Sequence, residues 1–255
     1  MSDSKDLILE TTIDAGVATL TLNRPAKFNA LSEELLDELQ GALSAIGKDE
    51  SIAVVVLNAR GRAFCAGHDL RQMRGNHSEQ YYQSLFSQCS KMMQTIRKIP
   101  QPVIASVQGL ATAAGCQLVA TCDLALAANT AQFAVSGINL GLFCSTPSVA
   151  LSRNINSKRA LEMLLTGEFI DADTAVEYGL INHSVEPDQL EALTLHLANK
   201  IANKPLSARK VGKEMFYAQQ PLGLDDAYHY AAQVMATNMM DAETVEAVDN
   251  FLNKK

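Results

Sequence analysis

Residues 109–116 read Gly-Leu-Ala-Thr-Ala-Ala-Gly-Cys and carry little side-chain bulk; Gln117, Leu118, Val119 and Ala120 then continue at helical spacing. A helix whose first turn holds only Ala, Thr and Gly lets a ligand or another backbone come close to its unpaired N–H groups, which form the positive end of its dipole. Such donors suit a site where negative charge develops. The same small residues also suit a tight contact between helix and sheet, and this stretch alone leaves both readings standing. Upstream, His68 and Asp69 follow the run Gly61 to Gly67. An imidazole can titrate near neutral pH, whereas an aspartate there can cap the next turn. Cys144 lies in a loop of small residues, 137–145, with no neighbouring base to activate it, so it reads as a buried thiol.

These groups need a scaffold. Residues 103–107, entered from Pro100 and Pro102, are β-branched and apolar, as a buried strand requires. Residues 7–12 and 17–22 alternate around Asp14-Ala15-Gly16 and predict a hairpin. Ser32, with Glu33 and Glu34 and a stripe at Leu35, Leu36 and Leu39, predicts a capped helix to residue 46. Residues 53–57 and 124–128 are continuously apolar, hence strands covered on both faces, and 78–98 is a long amphipathic helix. From Pro147 to Met239 helical patterns follow one another. Alternating strands and helices predict an α/β fold with parallel pairing. The change of composition near Pro187 divides the chain into a core, 1–186, and a helical region, 187–255, whose apolar stripes need the core or neighbouring subunits to cover them.

The chain's 255 residues suffice for a large core, and 47% hydrophobic with 19% charged residues is the balance of a globular protein. A net charge of −7 argues against a nucleic-acid partner. No apolar run approaches the roughly 20 residues of a membrane span, and residues 1–10 lack the order of a signal or transit peptide, so cytoplasm is the default expectation. Five cysteines without CxxC pairing and five scattered histidines predict free thiols and no metal site.

Taken together, Leu22-Asn23-Arg24-Pro25 with Asn29-Ala30-Leu31, the run 61–70, the run 99–123, Leu164-Leu165-Thr166-Gly167 and Gly179-Leu180-Ile181-Asn182 resemble the crotonase (enoyl-CoA hydratase/isomerase) superfamily in order and spacing. Within it, residues 109–120 with 141–147 most resemble the branch called enoyl-CoA hydratase domain-containing protein 3. The resemblance implies a spiral of ββα units with a C-terminal helical region used for trimerisation, as a homotrimer or a dimer of trimers. It implies an acyl-CoA thioester as substrate, with coenzyme A as part of that substrate and no prosthetic group. It places the thioester oxygen between the backbone N–H groups of His68 and Ala114, and lines the coenzyme A path with Ala26, Lys27, Phe28, Ala66, His68, Asp69, Leu70 and Arg71.

The pattern breaks where hydratases of the superfamily carry two glutamates, since the matching positions hold Gln117 and Gly137. A glutamine exchanges no proton near neutral pH and a glycine has no side chain. Three functions therefore stay open: an enolate-stabilising enzyme of the hydratase/isomerase type, a CoA-thioester binding protein with little catalysis, and an isomerase or thioester hydrolase using His68 or Asp69.

Overall fold

The computed structural model describes residues 7–253. Residues 1–6, on which part of the targeting expectation rests, and 254–255 lie outside them. Strands β1 (Leu9–Asp14) and β2 (Val17–Leu22) pair antiparallel, with Asp14 opposite Val17. The turn between them is Ala15-Gly16, both at positive φ, so the hairpin closes two residues later than the alternation suggests. Helix α1 (Glu33–Ile46) starts where the Ser32 hydroxyl accepts a hydrogen bond from Leu35 N, and it buries the predicted stripe.

The chain then climbs in repeated turns, each leaving one long and one short strand before a helix. Strands β3 (Val54–Ala59) and β4 (Ala63–Cys65) precede α2 (Leu70–Gly75) and α3 (Glu79–Lys98). Strands β5 (Val103–Val107) and β6 (Leu110–Thr112) precede α4 (Ala114–Thr121). Strands β7 (Leu124–Ala128) and β8 (Gln132–Ala134) precede a 3-10 turn, Ser136–Leu140, and then α5 (Ser145–Asn154) and α6 (Ser157–Thr166). The last strands, β9 (Ile170–Asp171) and β10 (His183–Val185), flank α7 (Ala172–Tyr178). Long strands form one sheet, β1-β2-β3-β5-β7-β10, and short ones a second, β4-β6-β8-β9. Intervening helices return the chain, so pairing from β2 to β10 and from β4 to β8 is parallel.

The apolar runs are explained by what covers them. Val55 and Leu57 face a core shared with α1 and α3, while Val54, Val56, Ile104 and Leu126 face Leu190 and Ala198 of α8 (Leu190–Ala202) on the other side. Helix α8, although beyond residue 186, is thus a cover of the larger sheet. Helix α9 (Leu206–Gln219) docks through a buried Lys213, whose Nζ donates to Ile96 O at 2.7 Å, Gln101 O at 2.8 Å and Asp123 Oδ2 at 2.6 Å. Helices α10 (Leu224–Asn238) and α11 (Ala242–Leu252) bury no residue, and Tyr228, Met235, Phe251 and Leu252 are exposed. Helix α11 lies past the last helix the periodicity suggests.

Candidate active site

The motif around Arg24 and Asn29 is a backbone bracket. Asn29, fully buried at φ +53°, accepts from Arg24 N at 2.8 Å and donates to Arg60 O and Ala63 O at 2.9 and 2.7 Å. The Arg24 guanidinium donates to Ala30 O at 2.6 Å and Asp69 Oδ2 at 3.2 Å. This fixes Leu31 beside His68: Leu31 N donates to Gly67 O at 2.8 Å, and Asp69 N to Leu31 O at 3.1 Å. Those bonds use the groups on either side of His68, leaving its own N–H turned away from Leu31.

The neighbouring strand β6 ends at Thr112, and Ala113 after it adopts φ +51°, ψ −121° and donates its N–H to Ala134 O at 2.9 Å. A positive φ costs an alanine about 1–3 kcal/mol and persists only where the surroundings impose it. It swings the chain directly into α4, so that Ala114, as the first helical residue, has no intrahelical acceptor for its N–H. A Cβ on Gly67 would stand 3.2 Å from Ala114 N, which brings the two segments side by side. One residue on, a Cβ on Gly115 would stand 2.0 Å from Cys65 O. Gly115 is thus in close packing, and Ala114 borders a cavity.

That cavity, about 280 Å³, is bordered by Ala66, His68, Leu70, Met73, Phe86, Ala114, Gly137, Leu142, Phe143 and Cys144 among others, and among the described residues no Asp or Glu borders it. Leu70, Leu140 and Leu142 give it an apolar, exposed mouth. The His68 ring lies edge-on to Phe86 at 5.4 Å, with both nitrogens sealed from solvent and unpartnered. Burial draws its pKa down to about 4, against a weak opposing effect of the Leu31 backbone, so the ring is neutral at pH 7. Asp69 caps α2, accepting from Arg71 N at 3.1 Å and Gln72 N at 3.3 Å. Burial alone would raise its pKa, but those amides and Arg24 hold the carboxyl below its usual range.

Gly137 is closed as well as bare, because a Cβ there would meet Leu142 O at 2.7 Å and Cys144 Sγ at 2.8 Å. Cys144 donates to Val135 O at 3.4 Å, and burial raises its pKa. Gln117, 5% exposed, borders a different cavity of about 530 Å³ with Thr121, Arg97, Lys98, Arg153 and Tyr217; Thr146 borders both. Ala26, Lys27 and Phe28 are exposed and border neither cavity, nor do Asp69 and Arg71. Phe28 O nevertheless accepts from Ala66 N at 3.0 Å, which joins the two segments expected along the coenzyme A path, and the Arg62 guanidinium lies 4.4 Å over the Phe28 ring. Ala113 and Phe86 carried no site signal in the sequence. Positive φ at an alanine has none to offer.

A family model described as enoyl-CoA hydratase/isomerase matches residues 12–255. The chain belongs to that family. Mouse enoyl-CoA hydratase domain-containing protein 3, mitochondrial, is 41% identical over 100% of this chain and 85% of its own length. Among solved structures, an enoyl-CoA hydratase of Mycobacterium smegmatis superposes with a TM-score of 0.97 at 52% identity, covering 98% of each chain. Human enoyl-CoA hydratase domain-containing protein 3 superposes at 0.95 with 40% identity over 98% of each chain. The fold is the crotonase spiral of this enoyl-CoA hydratase/isomerase family. The cytoplasmic expectation is corrected: the mouse and human relatives are named mitochondrial. That expectation rested on the lack of a recognisable targeting segment, and such a lack reports no compartment.

Proposed function

We propose that this family member binds an acyl-CoA thioester, with coenzyme A arriving as part of the substrate, and stabilises its enolate between the amides of His68 and Ala114. The observation that carries this reading is the meeting of the two segments: both residues border one apolar cavity, and each amide lies outside the bonding of its own element. Fixed donors in a dry site are worth about a hundred- to a thousand-fold each in rate. Catalysis then rests on that hole, because among the described residues no carboxylate borders the cavity. Each positioned acid or base normally adds about a hundred- to ten-thousand-fold. Hydration or isomerisation of 2-enoyl-CoA is accordingly slow beside a relative with both glutamates.

The closed space at Gly137 and the absence of a carboxylate favour a second reading, a CoA-thioester binding protein with little turnover. Isomerisation or hydrolysis through His68 or Asp69 is supported less, since one ring is sealed and the other side chain is engaged by Arg24 and two amides. Calorimetric titration with acyl-CoAs, followed by loss of the conjugated thioester absorbance, separates the readings. Saturable binding with slow turnover, both weakened by Gly67→Ala, is the expected result. Binding without turnover above buffer selects the second reading, and no binding of any acyl-CoA overturns both. The exposed apolar residues of α10 and α11 are best covered by copies of the chain, a homotrimer or a dimer of trimers, which sedimentation equilibrium tests.

A further inference from the structure

The second cavity collects three cations, Arg97, Lys98 and Arg153. None has a carboxylate within ion-pair distance among the described residues, in a chain whose net charge is −7. Their hydrogen bonds go to neutral acceptors instead: Arg97 Nη2 to Gln220 Oε1 at 3.1 Å, Lys98 Nζ to Gln94 Oε1 at 3.4 Å and Arg153 Nη1 to Val149 O at 2.9 Å. The Arg97 guanidinium also lies 4.0 Å over the Tyr217 ring, which holds it in place. Unneutralised cations around one concavity focus positive potential into it. Gln117, 5% exposed, also borders this cavity.

Ala114, Gln117 and Thr121 stand at i, i+3 and i+7, on one side of α4. At 1.5 Å per residue Thr121 lies about 10 Å along the axis from Ala114, the extended length of a chain of roughly eight carbons. Thr146 is the wall shared by the two cavities. An acyl chain whose thioester oxygen sits on the Ala114 amide would reach the cations by turning past Thr146 and running beside Gln117. We propose that the acyl group of the substrate ends in a carboxylate, held by Arg97, Lys98 and Arg153, with the Gln117 amide beside the chain where it crosses the shared wall. This rests on the acyl-CoA reading above and narrows it to a substrate class.

The test is calorimetry on the whole protein with octanoyl-CoA and its ω-carboxylated counterpart, octanedioyl-CoA. The carboxylated thioester should bind about tenfold or more tightly at low salt, the worth of one charge-assisted hydrogen bond, and the gain should shrink as salt is added. Lys98 and Arg153 are exposed, so the pair Lys98→Gln and Arg153→Gln perturbs no packing, and it should reduce the gain to about twofold or less. Equal affinity of the wild type for the two thioesters, or a gain that survives the double substitution, overturns this inference while the acyl-CoA reading stands. Binding of neither thioester overturns both.

Discussion

Gly115→Ala should damage stability and site together. An alanine is intrinsically about 1 kcal/mol better than glycine inside a helix. Here its Cβ would lie 2.0 Å from Cys65 O, 2.6 Å from Cys65 C and 2.9 Å from Cys65 Cβ. Ordinary carbon–oxygen contact begins at about 3.3 Å, so α4 and β4 must part by roughly 1.3 Å. Both sides are backbone, and no side-chain rotation relieves the clash. Overpacking of this kind costs about 1–3 kcal/mol, more when backbone must move, and leaves a net loss of about 2 kcal/mol, or roughly 4–8 °C in melting temperature for a chain of this size. The same parting moves the Ala114 amide away from His68, and a displacement of about 1 Å at a reacting group costs on the order of a hundred-fold in rate. Gly41→Ala is the matched control: nothing lies within 4 Å of the added methyl on α1, and it should stabilise by about 1 kcal/mol with turnover unchanged. Calorimetric melting and acyl-CoA titration of the two variants decide the matter. A Gly115→Ala protein as stable as the wild type refutes the close approach. One that melts early yet binds and turns over acyl-CoA normally refutes the role of Ala114.

Gly137→Glu should leave 2-enoyl-CoA hydration no faster than in the wild type and lower the melting temperature, because Leu142 O and Cys144 Sγ occupy the space; a hundred-fold gain in turnover would contradict the site described. His68→Leu should flatten the acid limb of stability. The folded pKa of about 4 lies below the unfolded value near 6.5, so stability from this group is intact above about pH 6.5 and falls as pH drops toward 4. Urea titrations across that window should show the wild type losing up to about 3 kcal/mol relative to the variant, and parallel curves would show that the ring is solvated. Lys213→Met should cost about 3 kcal/mol by leaving the part-buried Asp123 carboxylate without its cation, with Asp123→Asn in the same chain recovering part of the loss in thermal melts.

The parts of this fold that periodicity reports are legible in the sequence: the hairpin, helix α1 behind its Ser32 cap, the doubly covered strands and the long helix α3 each span enough residues to show a period. Strands β4, β6 and β8 have three residues each, too few for alternation to appear, yet they bring Gly67 against Ala114 and His68 to the same cavity. Helix spacing puts Gln117 on the side of α4 that carries Ala114, yet the two border different cavities, because α5 and α3, distant in sequence, decide what lies over Gln117. The glycine at 137 was legible as a missing side chain. Its closure was not, since it depends on a loop folding back through Leu142 and Cys144.

The central claim is that two amides receive one oxygen. A crystal structure with a non-hydrolysable acyl-CoA analogue tests it most directly: the carbonyl oxygen should lie about 2.7–3.1 Å from both His68 N and Ala114 N, with the acyl chain running beside α4. An oxygen bonded to only one of them, or a thioester lodged outside the cavity, would contradict the account.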